Sequence, residues 1–116
     1  MTITLDIDAL NRRFGITNHL RFSSGLGGLS LVEINNTQAK AALVLEGGQV
    51  LTYVPAGHAP VLWVSPQARY EDGKSIRGGI PVCWPWFGPH ASEASKPAHG
   101  FARNAPWSVV ETQIIN

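Results

Sequence analysis

Hydrophobic and polar positions change rhythm along this chain. Near the start, Asp6 to Phe14 carries apolar residues at helical spacing. Leu10 and Phe14 fall on one face at i, i+4, Asp6 or Asp8 is placed to cap the start, and Gly15 to end it. Such a short helix reads either as a docking element or as a frayed terminus. Gly25-Leu26-Gly27-Gly28 lacks any surrounding nucleotide fingerprint and reads as a flexible connection. Beyond it the period drops towards two. Leu29 to Ile34 alternates as a strand, Asn35-Asn36 signals a turn, and the chain returns through Gln38 to Glu46 as a hairpin. Gly47-Gly48 separates this from a further strand, Gln49 to Val54. Pro55 to Pro60 is a loop with Gly57-His58 at its tip, and Val61 to Ser65 predicts a short strand centred on Trp63. Pro66 to Ser75 is polar, a surface loop. Pro106 to Ile115, rich in Val, Ile, Thr and Trp, predicts a last strand whose apolar edge would invite pairing with another chain. Short strands between turn signals imply an all-β, antiparallel sandwich or barrel with one short helix.

Composition narrows the functional classes. A chain of 116 residues is one small domain or a piece of a larger one, and its 44% hydrophobic content suffices for a core. The net charge of +1 has no basic run or stripe behind it, which argues against a nucleic-acid partner. Only 15% of residues are charged, as expected if part of the surface is covered by more protein. The single cysteine, Cys83, permits no internal disulfide and suits a reducing compartment. Its apolar neighbours Val82 and Trp84 make it a buried structural thiol. The N-terminus has early acids and no long apolar core, so it does not read as a secretory signal. The longest apolar run, Ile80 to Phe87, is too short and proline-rich to span a membrane. The expectation is a cytoplasmic protein.

The candidate chemistry is concentrated between Ile76 and Trp107. Pro81, Pro85, Pro89, Pro97 and Pro106 exclude a long helix, and Gly78, Gly79, Gly88 and Gly100 allow sharp turns. Within this backbone sit Arg77, Arg103, His90, His99, Trp84, Trp86 and Trp107. Aromatic faces cover the apolar side of a sugar ring, and guanidinium forks bind an anionic group. Arg77 reads as a phosphate fork or as a surface ion pair to Glu71 or Asp72; Lys74, three residues earlier, adds a point charge or is a solvated lysine. If the segment is extended, His99, Phe101 and Arg103 share one face. His99 either donates to a sugar oxygen or is satisfied by backbone in a turn. On a strand, Trp84 and Trp86 would share a face, as a stacking platform or as core, with at least one tryptophan buried. His90 lines the pocket or merely sits in a loop. A metal site from Cys83, His90 and His99 matches no standard zinc spacing.

Three motifs carry a family resemblance. Ile76-Arg77-Gly78-Gly79-Ile80-Pro81, Cys83-Trp84-Pro85-Trp86-Phe87-Gly88 and His99-Gly100-Phe101-Ala102-Arg103-Asn104 resemble the signature of the hexose-6-phosphate mutarotases, the glucose-6-phosphate 1-epimerases of the aldose 1-epimerase superfamily. The likeness extends through Leu62-Trp63-Val64-Ser65 and Gly73-Lys74 and covers Leu45 to Val110. It implies a galactose mutarotase-like β-sandwich, a sugar-phosphate substrate and no cofactor. It implies Arg77 and Arg103 as phosphate ligands and His99 beside the ring and anomeric oxygens, with Lys74 and Trp86 as further substrate-binding candidates. Some relatives carry Gln immediately before the histidine, where this chain has Ala98, so that side-chain contact is missing. The family's general acid lies in a later His-x-Tyr-Phe motif and its base is a glutamate near the C-terminus; neither motif occurs here. Residues 1–116 therefore look like the N-terminal portion of one mutarotase-like domain. The rival readings are a non-catalytic carbohydrate-binding β module and an interaction fragment that folds against a partner.

Overall fold

The structure, a computed structural model, describes residues 6–115. Helix α1 spans Ile7–Phe14. Asp6 caps it, its carboxylate accepting the Ala9 amide at 3.1 Å, and the Gly15 amide closes the last turn on the Asn11 carbonyl. The helix is a docked element. Ile7, Leu10 and Phe14 pack over Phe22, Val32 and Leu45. Asn11 adds a two-way bond to the next element, its Nδ2 donating to the Phe22 carbonyl at 2.8 Å and its Oδ1 accepting the Phe22 amide at 2.7 Å.

Four strands follow as an antiparallel meander in the order β1-β2-β3-β4: β1 Leu20–Ser24, β2 Ser30–Asn35, β3 Ala39–Val44 and β4 Gln49–Pro55. The three later strands match the predicted hydrophobic runs to within a residue or two at most ends. The hairpin turn forms where Asn36 Oδ1 accepts the amides of Gln38 and Ala39 at 2.8 and 3.0 Å, an Asx turn. Strand β1 leaves little local signal, because Leu-Arg-Phe-Ser-Ser is short and has no Gly or Pro bounding its start. It is nevertheless held as an edge strand, in register Phe22↔Val32, with Asn11 occupying backbone groups a fifth strand would otherwise take. The glycine turn before β2 is not a loose connection. Gly27 has φ 68°, and a Cβ there would lie 1.6 Å from the Tyr70 carbonyl oxygen, so only glycine fits.

Alternation along the strands produces two apolar clusters. Phe22, Val32 and Leu45 face α1, whereas Leu29, Val44, Leu51 and Ile76 form the second cluster, with Leu31, Val64, Ala68 and Tyr70 against it. Two predicted strands do not form. Val61 to Ser65 makes isolated contacts only, the Val61 amide donating to the Tyr53 carbonyl at 3.0 Å and Val64 bridging the turn at Gly78 and Gly79, whose φ values of 124° and 64° break a ladder after that single bridge. Pro106 to Ile115 pairs only at its start, through the Glu46↔Pro106 bridge and the Trp107 amide on the Leu45 carbonyl. No further strand lies beside it among the described residues, so it crosses the helix instead, with Val109 on the first cluster and the Thr112 hydroxyl donating to the Phe14 carbonyl at 2.6 Å. Val110, Ile114 and Ile115 are left exposed. The fold among the described residues is thus one four-stranded antiparallel sheet with a docked helix.

Candidate functional site

Arg77 sits on a turn pressed against the sheet. Ile76 before it is buried in the second cluster. The Arg77 carbonyl accepts the Ser65 amide at 2.9 Å, and the Gly79 amide donates to the Trp63 carbonyl at 2.8 Å. A Cβ on Gly79 would lie 2.1 Å from the Val50 carbonyl oxygen, so the turn packs closer than any side chain would permit. The Arg77 side chain is exposed and makes no ion pair among the described residues; the alternative bridge to Glu71 or Asp72 does not form. Lys74 is likewise exposed and unpaired among the described residues.

The second group is the loop from Trp84 to Asn104. It is not extended, so the shared strand face expected for His99, Phe101 and Arg103 and the one expected for Trp84 and Trp86 do not exist. His99 and Gly100 have φ 65° and 74°, and residues Ala102–Asn104 form a 3₁₀ turn. A Cβ on Gly100 would lie 2.1 Å from the Trp84 carbonyl oxygen. That carbonyl accepts the amides of Phe101 and Ala102 at 3.0 and 3.1 Å, locking the two motifs together. His99 pairs twice with Gly88: its amide donates to the Gly88 carbonyl at 2.9 Å, and its Nδ1 accepts the Gly88 amide at 3.0 Å. An accepting Nδ1 carries no proton, so neutral His99 bears its proton on Nε2 and offers that nitrogen as a donor. The left-handed backbone at His99 is costly for a non-glycine residue, and the Gly88 contacts hold it there.

Arg103 folds back across the same loop, its Nη2 donating to the Ala98 carbonyl at 3.0 Å, next to His99. Its Nε is buried and has no hydrogen-bond partner. Trp86 is half-buried, its Nε1 donating to the Pro97 carbonyl at 2.9 Å and its ring edge-on to His90 and Phe101. Lys96 lies 5.9 Å over the Trp86 ring and pairs with Glu93, so this face is occupied. His90 Nδ1 accepts the Ser92 and Glu93 amides, a turn role. None of the four tryptophans is buried, and Cys83 is only half-buried, both contrary to the sequence expectation.

The two arginine-bearing segments meet through a contact that sequence spacing does not reveal. The Ser75 hydroxyl donates to Asn104 Oδ1 at 3.0 Å, joining the residue two before Arg77 to the residue after Arg103. Gly47 completes the junction, its amide on the Ala105 carbonyl and its missing Cβ leaving room for the Arg103 carbonyl. Arg103 and His99 are thus grouped, Arg77 stands on the adjoining segment, and no recorded contact joins its guanidinium to theirs. A recess of about 1010 Å³ lined by His19, Arg21, Asn35 and Lys40, among others, lies at the opposite end of the sheet and contains none of these residues.

The model of the aldose 1-epimerase family matches residues 30–115. A protein of Escherichia coli K12 named "Putative glucose-6-phosphate 1-epimerase" is 49% identical over 81 residues, covering 70% of this chain and 27% of that protein. A Salmonella typhimurium protein of the same name is 44% identical over 84 residues, covering 72% and 28%. Among solved structures, a crystal structure of "a putative mutarotase" from Salmonella typhimurium superposes with a TM-score of 0.75 at 41% identity, over 82% of this chain and 32% of that one. The matched part of this chain thus spans little more than a quarter of the length of those two curated relatives.

Proposed function

The chain belongs to the aldose 1-epimerase family, and from that premise we propose that it supplies the sugar-phosphate-binding surface of an enzyme interconverting the α and β anomers of a hexose 6-phosphate. The observation that carries the reading is Arg77: a permanent cation on a fixed turn, exposed and unpaired among the described residues, beside a loop bearing His99 and Arg103. A phosphate needs a fork held in place, and Arg77 with Arg103 provides two. His99 Nε2–H suits donation to a ring or anomeric oxygen. Lys74 and Trp86 border the same surface, Trp86 through its edge rather than its face.

Anomer exchange opens the ring. A base takes the proton of the anomeric hydroxyl, an acid delivers one to the ring oxygen, and the C1–O5 bond breaks to leave an aldehyde. Rotation about C1–C2 and reversal of the same transfers close the ring as the other anomer. The phosphate takes no part in bond making, so its ligands act on binding and orientation. In this proposal the single sheet seen here packs into a larger β-sandwich. Support comes from the large apolar side chains left exposed on this surface, among them Trp63, Trp84, Phe87 and Ile115. The same surface supports self-association of this chain when it is alone. Among the described residues no helix is long and apolar enough to cross a membrane, and we place the enzyme in the cytoplasm on the strength of its substrate class and single cysteine.

Arg77→Lys tests the reading. Lysine keeps the charge and loses the fork, so affinity for glucose 6-phosphate is expected to fall by about 1–3 kcal/mol, about 5- to 150-fold, while affinity for glucose stays the same. Calorimetric titration measures both. An unchanged glucose 6-phosphate affinity would remove Arg77 from the site.

A further inference from the structure

Gln49 is a buried polar residue that the reaction as described does not use. It opens β4 and is 1% exposed, level with Phe22 and Val44. Its Nε2 donates to the Ile76 carbonyl at 2.8 Å and to the Gly78 carbonyl at 2.5 Å, the two carbonyls that flank Arg77. The carbonyl between them, that of Arg77, accepts the Ser65 amide, and the next amide, Gly79, donates to Trp63. Carbonyls 76, 77 and 78 are therefore all committed, while the exposed guanidinium makes no ion pair among the described residues.

Strand packing alone does not explain this choice. Leu51, two residues on and equally inward, fills the neighbouring position with a hydrocarbon. A buried amide is costly unless its donors are used, and here Nε2 meets two backbone carbonyls. The fit depends on the turn, because Gly78 at φ 124° brings carbonyls 76 and 78 to one side. We propose that Gln49 is the positioning residue for Arg77. By holding the turn from below, it fixes the direction in which the guanidinium leaves the surface, so that ordering cost is met in folding rather than in binding. The ligand class is the phosphate dianion of a sugar phosphate, and the inference rests on the reading of Arg77 given above.

The test is a double-substitution cycle with Gln49→Met, which keeps length and volume without donors, and Arg77→Ala. Titrations use glucose 6-phosphate and glucose. Gln49→Met is expected to weaken glucose 6-phosphate binding on the order of tenfold, to leave glucose binding unchanged, and to add less than about twofold once Arg77 is gone. Equal losses for both sugars, or an undiminished loss in the Arg77→Ala background, would reduce Gln49 to a structural role. If Arg77→Ala itself leaves glucose 6-phosphate affinity intact, the phosphate reading fails instead, and separately. Should Gln49→Met not fold, the unsubstituted protein decides by NMR. The Gln49 side-chain amide signals are expected to exchange slowly with solvent and to shift with the Arg77 Nε–H signal as glucose 6-phosphate is added. Gln49 signals that stay fixed while Arg77 saturates would overturn the proposal.

Discussion

Mixed with the α anomer of glucose 6-phosphate, the 116-residue chain is expected to exchange anomers about 10²–10⁴-fold more slowly than a mutarotase that supplies both an acid and a base. The proton inventory is the reason. Ring opening needs one group to give a proton and another to take one, on opposite sides of the anomeric centre. Arg77 and Arg103 cannot accept a proton at working pH. His99 is committed at Nδ1 to the Gly88 amide, which leaves Nε2–H to donate and nothing on the ring to accept. Of the carboxylates, Glu93 pairs with Lys96, Glu111 with Gln113, and Glu46 with the Ser30 amide and hydroxyl, while Glu71 and Asp72 are exposed on the loop before Arg77 and make no contact with His99 among the described residues. Exchange spectroscopy of the two anomeric protons reads the rate directly. Full turnover by the short chain would require one of these carboxylates to act as the base. Sugar-phosphate binding without turnover is the expected result.

Phe22→Ala is expected to cost about 3–5 kcal/mol of folding free energy, a large share of the roughly 5–15 kcal/mol of an ordinary domain. Phe22 is 1% exposed and is the largest buried side chain of the cluster between sheet and helix. Truncation leaves a cavity that cannot close readily, because Asn11 holds both backbone polar groups of residue 22 and Val32 opposes it in register. Urea unfolding followed by far-UV circular dichroism measures the loss. Leu26→Ala, at a side chain 67% exposed, serves as the comparison and is expected to change stability by less than about 0.5 kcal/mol. Equal effects at the two positions would mean that the cluster under α1 does not hold the domain together.

Local patterning made the helix and three strands legible. Asp6, the Leu10–Phe14 spacing and Gly15 marked α1, and Asn36 and Gly47-Gly48 marked the ends of β2, β3 and β4. What failed was whatever depends on a distant partner. Val61 to Ser65 has strand composition, but it meets a turn with left-handed glycines, and composition does not report that. The residues after Pro106 are β-branched and aromatic, yet lack a neighbouring strand among the described residues. At the site, the motif residues were identifiable by type. Their arrangement was not, because reading His99 to Arg103 as extended misses the left-handed His99 and Gly100. The Ser75–Asn104 bond spans 29 residues and leaves no periodic trace. Gln49 did leave one: a lone amide in phase with the inward Leu51, directly after two glycines, is a polar residue at a core position and calls for a partner.

The central claim is that Arg77 and Arg103 bind one sugar phosphate. It is tested most directly by following the two arginine Nε–H signals in a ¹H–¹⁵N NMR titration. With glucose 6-phosphate both signals are expected to shift together along one saturation curve, and with glucose neither should move. Shifts confined to one arginine, or equal responses to the two sugars, would contradict the account.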